Sequence, residues 1–403
     1  MSNRAVAISV IERLRDEGFE ALLAGGCVRD RLLARPAKDY DVATNAEPAQ
    51  VMGLFKRTLK VGARFGVVIV MMGQEQIEVA TFRSDAEYVD GRRPTQVHFT
   101  TAQEDAARRD FTINGMFYDP VEDRLIDYVG GKADLGKRII RTIGQPDDRF
   151  QEDYLRMLRA VRFSAQLDFE IEPLTLEAMQ RFAPRIKKIS QERISMELEG
   201  ILCCDNRARG VRLLAESRLS DVVLMDLTAE DISRACDVLS HMETPVGYAL
   251  GLAGLCVALD IETALKQIEG LKLSGQQTRH VTYLLEHRGD LLNDSMSLAD
   301  LKLLAGDPHC SDLLSFQTAI QLADQASLDA VTTFQHRVAA LGDTPLRPKP
   351  LLNGHDLMAL GVPAGPKLGQ LAKTLYAAQL EDTVKTKAQA EQWVRVALLR
   401  SGC

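Results

Sequence analysis

The stretch LLAGGCVRDRLLARPAKDYDVAT, residues 22–44, decides the fold of the first part of the chain. Its apolar start ends in two glycines and is followed by VRDRLL, which predicts a strand that turns directly into a helix. Because Gly25 and Gly26 carry no side chains, the backbone N–H groups and the guanidinium of Arg29 are able to approach a phosphate. A tight turn without a ligand is the alternative interpretation.

Two aspartates close the same stretch. In KDYDVAT, the two-residue period of a strand puts Asp39 and Asp41 on one face. Tyr40 and Val42 then point the other way, toward a core. Paired carboxylates suit a hard cation such as Mg²⁺ that bridges nucleotide phosphates, and Glu78 in QIEVATF offers a third carboxylate on another predicted strand. A solvated acidic pair and a solvent-facing Glu78 remain open as alternatives.

A second group of charges lies in RRDFTINGM, residues 108–116. The guanidinium groups of Arg108 and Arg109 suit a triphosphate, and the carboxylate of Asp110 suits a ribose hydroxyl. Equally, Asp110 could cap a helix while both arginines are solvated. These residues alone do not separate the two interpretations.

The stretch QEDYLRMLRAVRF, residues 151–163, predicts an amphipathic helix. On it, Asp153 and Arg156 share a face, and Arg156, Arg159 and Arg162 continue as a basic stripe. We favour an interpretation in which Asp153 and Arg156 read the Watson–Crick edge of a base. A solvated stripe, with Glu152 and Arg156 as a surface pair, is the alternative.

Composition sets further limits. The chain has 403 residues, of which 46% are hydrophobic and 26% charged, and its formal net charge is −7. Several domains are expected, and no apolar run approaches the roughly 18 residues of a spanning helix. The start of the chain has helical spacing and no cleavable apolar core, so we expect a structural first helix and a cytoplasmic location. The acidic total confines any RNA contact to a local patch.

Periodicity divides the chain in two. Up to about residue 142, short apolar runs such as GVVIVMM alternate with Gly and Asp turns, which predicts strands and helices. Beyond it, apolar residues recur every three or four positions, which predicts helices to the end. A Pro- and Gly-rich span over residues 342–357 predicts a joint near residue 345. The seven cysteines form no Cys-x-x-Cys motif, which favours reduced thiols.

Taken in order, GGCVRD, DYD, RRDFTINGM, DYVGGKADLGKRIIR, EDYLR and ISQERISMELEGIL resemble the motifs of the class II tRNA nucleotidyltransferase and bacterial poly(A) polymerase family, over residues 20–202. Residues 351–382 resemble the C-terminal region of many bacterial members. The resemblance implies an α+β fold: a polymerase-β-like nucleotidyltransferase head with a mixed sheet, then an all-α neck, body and tail. We expect these domains at residues 1–142, 143–205, 206–345 and 346–403.

The resemblance also implies a role for each motif. Asp39 and Asp41 would hold the catalytic metals, and the glycine motif would hold the triphosphate. The RRD motif would contact the nucleotide and its ribose, and residues 152–156 would act as a protein template that selects C or A. Residues 127–135 resemble a hinge between head and neck, and Arg193 and Glu197 match a motif that supports the neck helix.

The activity implied is addition of CCA to the 3′ end of tRNA from CTP and ATP. The RNA 3′-hydroxyl attacks the nucleotide α-phosphate, with Mg²⁺ as cofactor and neither DNA nor a membrane as partner. The segment RSDAEYVDGRRP, residues 83–94 and including Arg83 and Asp85, resembles the flexible loop that permits A addition. Addition of A alone and poly(A) synthesis remain alternatives, the latter because LKVGARFG partly matches the basic stretch of poly(A) polymerases.

Two functions from other classes are disfavoured. A non-catalytic RNA-binding protein on this fold is expected to lose the metal-binding aspartates, and both are present. An appended phosphohydrolase would need clustered histidine and aspartate ligands, whereas the seven histidines are dispersed and GHD at residues 354–356 is the one His-Asp pair.

Overall fold

The computed structural model describes residues 2–60, 65–85 and 97–400. The chain forms two compact units, one comprising Met1–Cys236 with Lys266–Leu273 and the other Asp237–Leu265 with Ser274–Cys403. The expected division into head, neck, body and tail stays a prediction.

A mixed β-sheet organises the first part of the chain. The described strands are β1 (Ala21–Ala24), β2 (Asp41–Thr44), β3 (Thr58–Leu59), β4 (Val67–Met72), β5 (Glu75–Thr81), β6 (Arg83–Asp85), β7 (Val97–Phe99), β8 (Phe117–Asp119), β9 (Arg124–Ile126), β10 (Ile139–Ile140) and β11 (Glu170–Ile171). Seven of them form one sheet in the order β3-β4-β5-β2-β1-β8-β9, and β6-β7 and β10-β11 are separate pairs. Within the large sheet, β2 and β5 are parallel and the other neighbours are antiparallel.

Helices make up most of the remainder. The described α-helices are α1 (Asn3–Asp16), α2 (Gly26–Leu32), α3 (Pro48–Leu54), α4 (Ala102–Ala107), α5 (Gly131–Lys137), α6 (Pro146–Glu152), α7 (Leu155–Leu167), α8 (Pro173–Phe182), α9 (Gln191–Leu202), α10 (Arg207–Glu216), α11 (Ser220–Val223), α12 (Ala229–Ser240), α13 (Tyr248–Leu255), α14 (Ile261–Gly270), α15 (Gly275–Glu286), α16 (Leu298–Ala305), α17 (Cys310–Ala323), α18 (Asp329–Ala339), α19 (Gly354–Ala359), α20 (Pro366–Leu380) and α21 (Lys387–Arg400). Short 3₁₀ helices cover Thr112–Asn114, Ala183–Lys188 and Asp290–Leu292. Among the described residues, no helix is long and apolar enough to cross a bilayer.

The strand register brings the acidic residues to the glycine turn. In the antiparallel pair of β1 and β2, Asp41 lies opposite Ala24, the last residue before Gly25. In the parallel pair of β2 and β5, Val42 lies beside Val79, so the residues one step earlier, Asp41 and Glu78, are also neighbours. One edge of the sheet therefore carries both the turn and the carboxylates.

An apolar core holds this edge in place. The buried side chains that form it are Leu22, Ala24, Ala43, Phe82, Ala102, Ala106 and Phe117. The rings of Phe82 and Phe117 meet edge to face with their centroids 5.8 Å apart. Burying one such aromatic side chain contributes about 1.5–3 kcal/mol. Because Ala102 and Ala106 belong to α4, the core also fixes that helix against the sheet.

The predicted helix over residues 151–163 is interrupted. α6 ends at Glu152 and α7 begins at Leu155, and Asp153 between them has extended backbone angles, φ −151° and ψ 106°. Its Oδ1 accepts a hydrogen bond from the backbone N–H of Leu155 at 3.0 Å. An aspartate that bonds local backbone in this way competes with the helix and favours its start. The prediction that Asp153 and Arg156 share one helix face is therefore wrong.

Two smaller differences concern strands. β2 begins at Asp41, so Asp39 precedes the strand, and Tyr40 is half-buried while Val42 is fully buried. The pair of β10 and β11 places a parallel two-residue strand inside the region predicted to be all helical. The mixed sheet followed by a predominantly helical remainder otherwise has the predicted α+β order.

Candidate active site

The glycine turn joins β1 to α2. Gly25 has φ +73°, a backbone conformation that side-chain-bearing residues rarely adopt, and it precedes the first residue of the helix, Gly26. A Cβ atom on Gly25 would lie 3.2 Å from Nη1 of Arg109, and one on Gly26 would lie 3.7 Å from Nη2 of Arg29. The turn therefore leaves backbone open between two guanidinium groups, as the phosphate-binding interpretation requires.

Arg29 is oriented by its neighbours. Its Nη1 donates to Oδ1 of Asn114 at 2.8 Å and its Nε donates to Oδ1 of Asp30 at 2.8 Å. The guanidinium carbon lies 5.2 Å from the ring centroid of Phe163 in α7. These contacts hold the positive charge of Arg29 close to the turn.

Asp41 carries the electrostatic signature of a crowded acid. Although Asp41 is exposed on the cavity side, desolvation by the surrounding protein raises its pKa to about 6, the nearby carboxylate of Glu78 adds to the effect, Arg109 opposes it and Asp39 again raises it. Among the described residues, no three His, Cys, Asp or Glu side chains form a ready-made metal cage. Mg²⁺ does not need one, because it usually binds one or two carboxylates together with waters and substrate phosphates. The donor set thus fits Mg²⁺ completed by a nucleotide.

Arg108 and Arg109 both pair with one buried acid, Asp105, at 2.6 and 2.9 Å. The ring of Phe117 lies under Arg109, with 4.9 Å between the guanidinium carbon and the ring centroid. Neither guanidinium is a solvated surface charge. This excludes the alternative that the sequence left open, in which both arginines are solvated.

Asp110 is held in its ionised form by hydrogen bonds and by nearby arginines. Its Oδ1 accepts from the backbone N–H of Phe111 and from Asn114, and its Oδ2 accepts from Arg159 at 2.7 and 2.9 Å. Burial alone would raise its pKa, but Arg159 and Arg156 lower it to about 2. Asp110 therefore stays charged, and it does not cap a helix.

The residues around the start of α7 form ion pairs of their own. Oδ2 of Asp153 accepts from Nη2 of Arg193 at 2.7 Å, and Nη1 of Arg156 donates to Glu152 at 2.5 Å. Nη2 of Arg156 donates to the carbonyl of Arg108 at 3.1 Å, and Arg156 is only 9% exposed. The pair of Glu152 and Arg156 is consequently partly buried, whereas the residues of a solvated stripe would be exposed.

The basic stripe continues along α7 over one aromatic ring. The guanidinium carbons of Arg159 and Arg162 lie 5.2 and 4.3 Å from the ring centroid of Phe163. Nε of Arg162 donates to Glu197 of α9 at 2.6 Å. α9 thus contacts the stripe through Glu197.

A single cavity of about 660 Å³ collects these side chains. Its lining includes fourteen of the predicted site residues: Gly25, Gly26, Arg29, Asp39, Asp41, Glu78, Arg83, Arg108, Arg109, Asp110, Asp153, Arg156, Arg159 and Arg162. One cavity is therefore lined by residues of the glycine turn, of strands β2 and β5, of the RRD motif and of α7. Asp39, Asp41 and Glu78 make one part of its wall acidic, and arginines predominate among its other charged residues.

Known proteins resemble this chain in sequence and in fold. Residues 21–141 match the family model of the poly A polymerase head domain, and residues 168–230 match that of the probable RNA and SrmB-binding site of polymerase A. The CCA-adding enzyme of Streptococcus suis is 33% identical over 400 residues, covering 95% of this chain and 94% of the relative. The chain belongs to the CCA-adding enzyme family. The CCA-adding enzyme of Geobacillus stearothermophilus is 32% identical over 387 residues, with 95% and 94% covered.

Solved CCA-adding enzymes have the same fold. The crystal structure of the Bacillus stearothermophilus CCA-adding enzyme in complex with CTP is 29% identical, covers 100% of both chains and superposes with a TM-score of 0.82. The Thermotoga maritima CCA-adding enzyme complexed with tRNA-CCA has a TM-score of 0.66 at 19% identity, covering 98% of this chain and 95% of that one. The predicted family resemblance and the α+β fold are confirmed.

The segment likened to the flexible loop of CCA-adding enzymes is described only at its start. Arg83 and Asp85 lie in β6, which pairs antiparallel with β7, so these two positions belong to a strand. Arg83 also donates through Nη1 to the carbonyl of Phe65. Residues 86–94 of the predicted loop lie outside the described residues.

Sequence reasoning did not single out Asn114 or Asp105. Asn114 accepts from Arg29, donates to Asp110 and offers its carbonyl to Arg109 at 3.3 Å, so it links three site residues. In the sequence, its position inside the stretch RRDFTIN was the feature that could have identified it. For Asp105 the signal was its spacing of three and four residues from the two arginines.

Proposed function

We propose that this chain builds CCA at the 3′ end of tRNA from CTP and ATP, with Mg²⁺ as its metal. The observation that carries the proposal is the position of Asp41, which the strand register puts beside the glycine turn and Glu78 in one cavity with the arginines. The carboxylates there need a cation and the arginines need an anion. A nucleoside triphosphate with a divalent metal supplies both. The 33% identity to a CCA-adding enzyme over nearly its whole length supports the choice of substrates.

Asp39 and Asp41, with Glu78 nearby, are the residues that would hold the metal. The crowding that raises the pKa of Asp41 to about 6 is what a divalent cation relieves. Members of nucleotidyltransferase families use divalent metals, and Mg²⁺ is the proposal for this chain because its ligands are hard oxygens. A divalent cation held by these carboxylates would supply positive charge that stabilises the negative charge developing on the phosphate oxygens.

The chain's own residues position the reactants. The open backbone at Gly25 and Gly26, with Arg29 and Arg109 on either side, holds the triphosphate. The RNA 3′-hydroxyl attacks the α-phosphate, its proton passes to water and pyrophosphate leaves, so a phosphodiester linkage forms as the phosphoanhydride bond breaks. Asp39 and Asp41 would orient the metal and need not act as a general base.

Base selection falls to Asp153 and Arg156. Arg193 holds the carboxylate of Asp153, and Glu152 holds the guanidinium of Arg156, so both side chains are oriented before a base arrives. Each carboxylate oxygen has two lone pairs, which leaves Asp153 able to accept from an exocyclic amino group of C or A. Hydrogen bonds of this kind discriminate bases by their donor and acceptor pattern.

The ribose end of the nucleotide is assigned to Asp110. Its carboxylate is held by Arg159 and Asn114, and its pKa of about 2 keeps it an acceptor at neutral pH. An ionised acid fixed on three sides offers a well-placed partner for a ribose hydroxyl.

A role on tRNA fits a cytoplasmic location, and neither DNA nor a membrane is expected as a partner.

Substitution of the acidic pair tests whether the protein is a nucleotidyltransferase. Asp41→Asn should abolish incorporation of labelled CMP from CTP into tRNA that lacks its CCA end, while tRNA binding persists. Asp123→Asn is the control, because the side chain of Asp123 is 80% exposed and its described partners, Arg31 and Tyr118, lie outside the cavity lining. Incorporation by Asp41→Asn at the wild-type rate would refute the metal assignment. Wild-type protein that binds the tRNA without extending it would be an RNA-binding protein.

A further inference from the structure

The two arginines of the RRD motif share one buried partner. Asp105 lies in α4, and only 2% of the residue is exposed. Arg108 and Arg109 follow it by three and four residues, the spacings at which side chains of one helical turn meet. The carboxylate of Asp105 therefore lies between two guanidinium groups.

Each carboxylate oxygen accepts from one guanidinium group. Oδ1 of Asp105 accepts from Nη2 and Nε of Arg108 at 2.6 and 3.0 Å. Oδ2 accepts from Nη2 and Nε of Arg109 at 2.9 and 3.1 Å. Paired N–H donors on one acceptor fix the plane of a guanidinium as well as its position. One side chain thus sets the orientation of both arginines.

This orientation turns Arg109 toward the glycine turn. With its Nε edge on Asp105, Arg109 donates through Nη1 to the carbonyl of Asn114 at 3.3 Å. The same Nη1 lies 3.2 Å from the position of a Cβ on Gly25. Asp105 thereby places a cation where the open backbone would receive phosphate.

The same carboxylate also holds the first residue of β6. The backbone N–H of Arg83 donates to Oδ1 of Asp105 at 3.3 Å, and Nε of Arg108 donates to the carbonyl of Arg83 at 2.7 Å. Arg83, Arg108 and Arg109 all line the cavity. Asp105 itself is absent from the lining, so it acts on the cavity only through these neighbours.

The electrostatic balance favours an ionised Asp105. Burial alone would raise its pKa, but Arg109 and Arg108 lower it through their charges and hydrogen bonds. Without this anion, two like charges would stand side by side in a partly buried site. They would then repel one another and lose their common orientation.

We propose that Asp105 is a positioning residue that presents Arg108 and Arg109 as a fixed pair to the triphosphate of the incoming nucleotide. The inference rests on the proposed nucleotide site. It assigns to Asp105 no contact with the nucleotide. Its effect should therefore depend on the phosphates of the ligand and not on the base.

Nucleotide binding without RNA tests the proposal and does not require catalysis. Calorimetry with Mg²⁺ would compare CTP, ATP and CMP on wild-type protein and on Asp105→Asn. We expect the Kd for CTP and for ATP to rise by about tenfold or more and to a similar extent, because correctly oriented charge-assisted hydrogen bonds are lost. The Kd for CMP, which lacks the β- and γ-phosphates, should rise less.

Asp119→Asn is the matched control. Asp119 is 1% exposed and pairs with Arg15 at 2.5 Å, and neither residue lines the cavity. Both variants lose a buried ion pair, so thermal stability should fall in both, whereas CTP affinity should fall only in Asp105→Asn. Equal CTP affinity in the two variants, or an equal loss for CMP and CTP, would overturn the proposal.

Arg109→Lys tests the same contact without altering Asp105. Lysine keeps the charge but not the pair of N–H donors that face Oδ2, so CTP binding should again weaken by about tenfold. Wild-type affinity in this variant would overturn the proposal even if Asp105→Asn did not fold. Wild-type protein that binds CTP but fails to extend tRNA would remove the proposed function and leave this inference standing.

Discussion

Asp110 and Arg159 form an ion pair across 49 residues of sequence, in which Oδ2 of Asp110 accepts from Nη2 and Nε of Arg159 at 2.7 and 2.9 Å. Asp110 follows the two arginines of the RRD motif, and Arg159 belongs to α7. The pair therefore joins the segment proposed to hold the nucleotide to the segment proposed to select its base.

Loss of this pair should make stability less sensitive to acid. The pKa of Asp110 is about 2 in the folded protein, below the roughly 3.9 of an unfolded aspartate. A lowered folded-state pKa stabilises the protein above the unfolded pKa, and this contribution is lost as pH falls from about 4 to 2. Asp110→Asn should thus lower the free energy of unfolding by about 2 kcal/mol at pH 7 and by about half of that at pH 3. Urea unfolding at both pH values measures it, and a difference that stays constant would contradict the assignment.

Metal binding should depend on pH through Asp41. Its pKa of about 6 means that protons compete with the metal below pH 6. We expect the Kd for Mn²⁺, used as a paramagnetic substitute for Mg²⁺, to rise by about tenfold per pH unit well below pH 6 and to change little above pH 7. Water-proton relaxation at pH 5, 6 and 7 measures this. Affinity that is the same at all three values would show that Asp41 is not a ligand.

Arg156→Ala should blur the choice of nucleotide. Its guanidinium is proposed to donate to the base, and one such contact is worth about 1–3 kcal/mol of discrimination. Preference for CTP and ATP over UTP and GTP, measured as kcat/KM ratios, should fall by about tenfold or more while metal affinity is retained. Arg181→Gln is the control, since Arg181 is 54% exposed and its pair with Asp147 lies outside the cavity lining. Unchanged ratios in Arg156→Ala would make the contact merely structural.

Gly25→Ala should weaken nucleotide binding beyond its effect on stability. Alanine at φ +73° costs about 1–3 kcal/mol, and its Cβ would also lie 3.2 Å from Nη1 of Arg109. Gly18→Ala is a matched control, because Gly18 has φ +84° and nothing within 4 Å of an added Cβ. Both variants should melt at lower temperature, but the KM for CTP should rise only for Gly25→Ala. An equal KM in the two variants would contradict the role of the turn.

Local patterns predicted the sheet edge well. The glycines mark the end of β1 because few other residues adopt φ +73°, and the alternation in QIEVATF correctly put Ile77 and Val79 in the core with Glu78 facing out. The strand register that places Asp41 beside the glycine turn and beside Glu78 depends on the pairing of β2 with β1 and with β5. Sequence patterns alone do not specify such pairings.

The break between α6 and α7 could not be predicted from apolar periodicity. Apolar spacing continues through residues 151–163, so a helical pattern covers Asp153 as well. What stops the helix is a side-chain bond to the backbone of Leu155 and an ion pair with Arg193, which lies 40 residues later. The contact of Asn114 with Arg29, 85 residues earlier, likewise became visible only once the fold had brought the two residues together.

Product length on a defined RNA tests the central claim most directly. The protein and Mg²⁺ would be incubated with a tRNA that ends at its discriminator base, with CTP alone, ATP alone or both. The account predicts two added residues with CTP and a third only when ATP is also present. Inertness toward this tRNA, with a single A added to one that already ends in CC, or long adenosine ladders on unrelated RNA, would contradict it.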